Sequence, residues 1–370
     1  MDQDGEGLLA RVRELVAIVS TAGREAAIQT HLEAVLRSLG FEVARQPLAS
    51  ERWNLYARRG GSRFLVATHV DTVPRWGQKE GFRVRKRGDR LYGRGVLDAK
   101  GQIAAFLEAS SKDRSLPACA AFFVDEERLG SGSEIFNWPW PDSFEGAVVL
   151  EPTGLAIATA QAGSLEVEVR LRGMRWHGAT FRESDNAILR AVELIARIRS
   201  LPLWGSSDPR FGRLGINVGL IRAGLDVQII PDHCTFRVDL PVLPDYGLDR
   251  VRDAVLKLLE EAGASYVVHH HEPPFETDPN AAVVQALLRA HTKVTGVAPR
   301  LTGFTAWTDA ANLVRAGLPC VIYGAGDLAL AHTPEESVAL GELQALEEVL
   351  CEFLRTSTRP KREAEEGAVP

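Results

Sequence analysis

The chain has 370 residues, 45% of them hydrophobic and 25% charged, with a net charge of −6. That length allows two domains and a large core, and the composition is that of an ordinary soluble globular protein. No basic run suggests nucleic acid or a membrane surface, no apolar run is long enough to span a bilayer, and the acidic start is not a secretion signal. The four cysteines (Cys119, Cys234, Cys320 and Cys351) form no CxxC pair, and three sit in apolar, strand-like contexts. Reduced thiols in a cytoplasmic protein are the expectation.

In chain order, "REAAIQTHLEAVLRSLG" sets Ile28, Leu32, Val35, Leu36 and Leu39 on one helical face, with Gly40 as the C-cap. Strands are expected at "WNLYARR", "RFLVATHV", "PACAAFFV" and "GAVVLE", with the helix "AKGQIAAFLEASSK" between the second and third. Short buried strands alternating with helices predict an α/β layer structure. From residue 164 the order changes. "SLEVEVRLRG" alternates as a strand, "SDNAILRAVELIARIRS" is a helix capped by Ser184 or Asp185, and two strands, a helix and the strand "SYVVHHHE" follow. That β-α-β-β-α-β order is ferredoxin-like and reads as an insertion. After "EPPFETDPN" the first pattern resumes, with helices at 280–295 and 340–355 around the strand "LPCVIYG", and the last ten residues are polar and unperiodic.

Five segments place acids or histidines where an outer-domain strand ends, or just beyond it. They carry His69 and Asp71, Asp98, Asp125 to Glu127, Glu151, and His332. In open α/β sheets this is where ligands bind. Singly, each residue reads as a solvated loop group or a helix cap. His69 and Asp71 lie two apart, on one side of an extended segment, as a metal ligand and its orienting carboxylate would. Two histidines and three carboxylates can hold two divalent ions if one carboxylate bridges. The +4 of the ions against −3 from Asp98, Glu127 and Glu151 leaves room for one hydroxide, the nucleophile of metal-assisted hydrolysis. Glu126 is then free to take a proton.

"HVDTVP", "GRGVLDAKG", "DEERLGSG", "LEPT", "WHGAT" and "AHTPE", in this order across nearly the whole chain, resemble the motifs of the di-zinc metallopeptidase family. Acetylornithine deacetylase, succinyl-diaminopimelate desuccinylase, aminoacylase and glutamate carboxypeptidase are members. The resemblance implies that His69 and Glu151 bind one zinc, that Glu127 and His332 bind the other, and that Asp98 bridges. It also implies that Asp71 orients His69, Glu126 is the general base and later acid, and His177 stabilises the oxyanion. The Asp98–Ala99 peptide bond is expected to be cis. Cobalt or manganese suits the same donors.

Two positions depart from the family pattern. Gln228 stands at a usual asparagine, and Pro241 stands where many members place the arginine that clamps the substrate carboxylate. Arg237 is on the same strand face but roughly 13 Å away at strand rise, so it could replace the clamp only for a larger or shifted substrate. Trp307, in "TAWTDAANL", reads equally as pocket wall or as core. "GAGDLA" fits a relaxed dinucleotide pattern, but no long helix follows, so Gly324 reads as a close backbone approach to substrate beside His332.

The expected architecture is α/β: a mixed-sheet catalytic domain (1–162 and 274–360) with helices on both faces. It is interrupted by a ferredoxin-like α+β lid and dimerisation domain (163–273) and followed by a disordered tail (361–370). The expected activity is hydrolysis of an N-acyl amino acid amide, acetylornithine deacetylase-like, with a dipeptidase, carboxypeptidase or desuccinylase as the same chemistry on another substrate. A small-molecule N-acyl amino acid or short peptide, two zinc ions per subunit and a homodimer through the lid complete the expectation. A non-catalytic metal- or ligand-binding relative is the rival, and the presence of all five ligands and Glu126 counts against it.

Overall fold

The computed structural model describes residues 3–48 and 51–358, so the expected tail at 361–370 lies outside the described residues. The chain divides into two compact units: Met1–Thr159 with Thr277–Leu301 and Thr308–Pro370, and Ala160–Glu276 with Thr302–Trp307.

The first unit is built on a mixed sheet. Its strands lie in the spatial order Glu42–Pro47, Trp53–Arg59, Ala118–Phe123, Phe64–His69, Gly146–Val149, Cys320–Ile322, Ile157–Gln161. Ala118–Phe123, Phe64–His69, Gly146–Val149 and Cys320–Ile322 run parallel to one another. Every residue of these four strands is buried, as expected of parallel strands covered on both faces. The apolar runs seen in the sequence have this cause, and their carboxyl ends open together at one edge. Helix Lys100–Lys112 packs on Leu340–Thr356, which packs on Ala282–Thr295. Gln3–Ala17, a helix the sequence reading passed over, packs on Lys100–Lys112 and buries Leu8, Val12, Leu15 and Val16. A small sheet joins Ser337–Ala339 to the hairpin Arg85–Arg87 and Arg90–Tyr92.

The second unit holds a four-stranded antiparallel sheet in the order Asn217–Ala223, His233–Val242, Gly163–Arg172, Ser265–Glu272. Helices Ala187–Arg199 and Gly247–Glu261 supply Leu194, Ile198, Val251, Val255 and Leu259 to its own core. This is the ferredoxin-like order. Asn186, rather than Ser184 or Asp185, caps the first helix, its side chain accepting the Ile188 and Leu189 N–H groups at 3.0 and 3.2 Å. Thr302–Trp307 belongs with this unit because Phe304 O accepts the Ala162 N–H at 2.8 Å and Gly303 N–H donates to Arg210 O at 3.2 Å.

Candidate metal centre

His69 is the last residue of Phe64–His69, and Asp71 follows two positions later, both buried. The His69 Nδ1 lies 3.5 Å from Asp71 Oδ1, at the edge of hydrogen-bond range. Asp71 also accepts the backbone N–H groups of Glu126 (3.2 Å) and Glu127 (3.1 Å). Those two acids ride on a turn that follows Ala118–Phe123. Asp125 holds φ +69°, and its carbonyl accepts N–H groups from Leu129 and Gly130 at 3.1 and 2.7 Å. Glu127 Oε1 accepts the Val73 N–H at 3.2 Å.

Asp98 occupies the centre. One carboxylate oxygen lies 3.0 Å from His69 Nε2 and the other 3.3 Å from His332 Nε2. Each imidazole has a second carboxylate beside the same nitrogen: Glu151 Oε1 at 3.7 Å from His69, and Glu127 Oε2 at 2.8 Å from His332. One donor atom each from His69, Asp98 and Glu127 lie within 4.8 Å of one another. The Asp98–Ala99 peptide bond is cis.

Two ligands on a tetrahedral zinc with bonds of about 2.0–2.1 Å stand roughly 3.4 Å apart, so the separations around Asp98 fit shared cations. Charge argues the same way. Burial raises the pKa of Glu126, Glu127 and Glu151, well above the ordinary carboxylate value for Glu126 and Glu151, and repulsion from neighbouring carboxylates, Asp98 beside Glu127 among them, adds to it. Burial would do the same to Asp98, but hydrogen bonds from His332 and His69 hold its pKa down. Burial pulls the His332 imidazole down too, and its bonds to Asp98 and Glu127 outweigh that and carry it to about 10. Carboxylates crowded this tightly call for positive charge. The buried Glu151 Oε1 has no hydrogen-bond partner, as a donor reserved for a cation would.

The cluster therefore gathers His69, Asp71, Asp98, Glu126, Glu127, Glu151 and His332 in the first unit. Gly324 is there too, and a Cβ on it would stand 2.5 Å from the Glu151 carbonyl oxygen. The close approach that requires glycine is thus to the backbone of Glu151. The other predicted residues belong to the second unit. His177 is exposed on the short strand Trp176–His177, and its Nδ1 accepts the Ala179 N–H at 3.2 Å, which leaves Nε2 as the protonated ring nitrogen. Gln228 is exposed, and its carbonyl takes the Gly178 N–H at 2.6 Å. Arg237 is ion-paired to Glu166 on the adjacent strand. Trp307 is half-buried with its ring edge-on to His270, centroids 5.8 Å apart. The histidine run keeps strand alternation, His269 and His271 exposed and His270 half-buried, although the pairing register shifts between Val268 and His270.

Two neighbours escaped the sequence reading. Trp76, 58% exposed, stands edge-on to His332 at 6.0 Å, and Glu336 is fully buried behind the loop that carries His332. An aromatic residue a few positions past "HVDTVP" was the available signal for Trp76; Glu336 offered none beyond its place after "AHTPE".

A sheet whose parallel strands end in paired imidazoles and carboxylates is the scaffold of a metal-dependent hydrolase. Residues 65–356 match the sequence model of Peptidase family M20/M25/M40, and the chain belongs to that family. An acetylornithine deacetylase from Myxococcus xanthus is 30% identical over 378 residues, covering 93% of this chain and 95% of that protein. A probable carboxypeptidase from Aspergillus terreus is 29% identical over 367 residues, 90% of this chain and 82% of the relative. Among solved structures, a tripeptidase from Staphylococcus aureus superposes with a TM-score of 0.78 at 21% identity, over 95% of this chain and 98% of that one. The protein is a hydrolase of a metal-dependent family, and among the described residues no helix is long and apolar enough to cross a membrane.

Proposed function

We propose that the protein hydrolyses the amide bond of N-acyl amino acids, in the manner of an acetylornithine deacetylase. The observation that carries this is the Asp98 carboxylate, with one oxygen toward each of two imidazoles that each have a carboxylate of their own. His69 and Glu151 would hold one zinc ion and His332 and Glu127 the other, with Asp98 shared. When bound, zinc polarises the scissile carbonyl and lowers the pKa of water, and cobalt or manganese suits the same donors.

The chain's own groups do the rest. Glu126 has no partner among the five ligands to satisfy, so its carboxylate takes the proton of the attacking water and returns it to the leaving nitrogen. Asp71 fixes the turn that presents it. His177, on a lid unit, offers its Nε2–H to the oxyanion. Arg237 would have to leave Glu166 to reach a substrate carboxylate, and Pro241 can supply no charge in its place. Recognition therefore differs from the arginine clamp common in the family. Peptide cleavage is the alternative, supported by the carboxypeptidase relatives.

Two further readings belong here. The second unit is a dimerisation module: the edge strand Asn217–Ala223 exposes Leu220 and Ile221, and Ala187–Arg199 exposes Leu189 and Val192. The four cysteines are buried and unbridged, which supports a cytoplasmic protein.

The test is a screen of N-acetyl amino acids, N-succinyl amino acids and dipeptides with metal-reconstituted protein, alongside sedimentation of the same sample. Turnover of the N-acyl substrates supports the proposal. Turnover of dipeptides alone replaces it with the peptidase reading, and metal-loaded protein inert on every substrate leaves a binding protein.

A further inference from the structure

Arg94 and Glu336 are 242 residues apart, yet they form an ion pair from which water is excluded, with 1% and 0% of their surfaces exposed. Neither was assigned a part in the chemistry. Arg94 Nη1 donates to Glu336 Oε2. The remaining guanidinium nitrogens donate to three backbone carbonyls: Nε to Pro74 (3.2 Å), and Nη2 to Arg75 (3.2 Å) and Thr333 (3.4 Å). Glu336 Oε1 accepts the N–H groups of Gly95 (2.7 Å) and Leu97 (3.3 Å).

Each partner lies in a loop that delivers a member of the cluster. Pro74 and Arg75 follow His69 and Asp71, Gly95 and Leu97 precede Asp98, and Thr333 is the neighbour of His332. These segments lie outside helices and strands, so no ladder holds them. His332 has φ +61° and a side chain 47% exposed, a conformation its own surroundings do little to enforce. A buried ion pair is poor evidence for stability, because desolvation cancels most of the attraction, but it fixes one arrangement of what it touches. A planar guanidinium with five donors in a rigid fork can bind two loops and a carboxylate at once, which an ammonium cannot.

We propose that Arg94 and Glu336 are positioning residues that hold the Asp98 and His332 loops at ligand distance from a shared metal, and so set metal affinity and coordination geometry. This rests on the two-metal reading of the cluster. Residues that orient metal ligands from behind typically contribute about 10- to 100-fold in affinity.

The experiment compares wild type with Glu336→Gln and Arg94→Lys, using cobalt as the probe. Cobalt affinity is measured by competition with a chromophoric chelator, coordination geometry by the visible absorption of the cobalt-loaded protein, and folding by near-ultraviolet circular dichroism of chelator-treated protein. Arg90→Ala serves as the structural control: it removes bonds from Arg90 to Ser337 beside the same segment but leaves the clamp untouched. The expected result is cobalt binding weakened about 10-fold or more in both variants. Their cobalt spectrum changes, the fold is retained, and Arg90→Ala behaves as wild type. Arg94→Lys keeps the buried charge and gives up only the fork, so it carries the test if Glu336→Gln does not fold. Wild-type affinity and spectrum in a folded variant overturn the positioning role alone, as does equal weakening in Arg90→Ala. Wild-type protein that takes up no cobalt overturns the metal reading beneath it.

Discussion

The carboxylate of Asp71 accepts the backbone N–H of Glu126 at 3.2 Å, so the residue two places beyond His69 also fixes the turn that carries the proposed base. The same carboxylate takes the Glu127 N–H and lies 3.5 Å from His69 Nδ1. Three of the side chains proposed to act thus depend on one buried acid.

Asp71→Ala removes the acceptor for both N–H groups at once. It is expected to lower kcat/KM and metal affinity together, each by about 10- to 100-fold, as loss of a ligand-orienting partner does. Asp71→Asn keeps one acceptor oxygen but turns an amide donor toward the other N–H, and should fall between. Steady-state kinetics with metal titration decide it; an alanine variant within twofold of wild type on both counts contradicts the linkage.

Glu126→Gln preserves the shape of the side chain and removes its basicity. A fall in kcat of about 10²- to 10⁴-fold is expected with metal content unchanged, measured by turnover alongside elemental analysis. Full turnover in this variant overturns the assigned mechanism.

How much of this was legible beforehand depends on the range of the interaction. "RFLVATHV" and "PACAAFFV" announced themselves because strands buried on both faces are apolar throughout, and the acids at their ends followed from the fold rule. The helix Gln3–Ala17 was hidden by the charges of its first turns, although Leu8, Val12 and Leu15 keep helical spacing. The strands Arg85–Arg87 and Arg90–Tyr92 gave no signal: the first is exposed and fully charged, the second buries only Leu91, and what holds them is Ser337–Ala339, far along the chain. Ser184, Asp185 and Asn186 are all good caps, and only the observed start of the helix selects among them. Glu335 and Glu336 look alike in "HTPEES", yet the first is exposed and the second fully buried. What separates them is Arg94, and no local pattern can reveal a partner so distant.

Metal uptake should release protons. With only protein charges around it, His332 has a pKa of about 10, well above the ordinary imidazole value of 6.5. In chelator-treated protein that proton contributes stability that is complete below pH 6.5 and is lost as pH rises through 10. Metal must displace it, so apparent affinity rises with pH, roughly tenfold per unit for this one proton, until about pH 10. Chelator competition at pH 6, 7 and 8 measures the slope; a flat profile contradicts it.

Trp76 sits at φ +37° with its indole 58% exposed and its ring edge-on to His332. A large apolar face beside the proposed reacting centre would favour substrates whose acyl group or side chain can lie against it. Trp76→Ala is expected to raise KM about 10-fold for aromatic and long aliphatic substrates and to leave acetyl-glycine almost unchanged, with kcat little affected. A uniform change across a substrate series would assign Trp76 to supporting the His332 loop instead.

Gly324→Ala tests the backbone behind Glu151. The added methyl would stand 2.5 Å from Glu151 O and 2.7 Å from Gln102 Oε1. Little can give way: Gly324 O accepts the N–H groups of Thr153 (3.3 Å) and Leu155 (2.8 Å), and Gln102 Nε2 is bonded to Leu97 O at 3.0 Å and Ala325 O at 2.8 Å. Relief must come from moving the Glu151 carbonyl, which drags a proposed ligand with it. Urea unfolding of the metal-free protein should show a loss of about 1–3 kcal/mol, the usual range for overpacking. Metal affinity should fall as well, because the displaced residue is a donor. An alanine variant with unchanged midpoint and affinity would mean that the segment yields freely, and that Glu151 is not held in place by this contact.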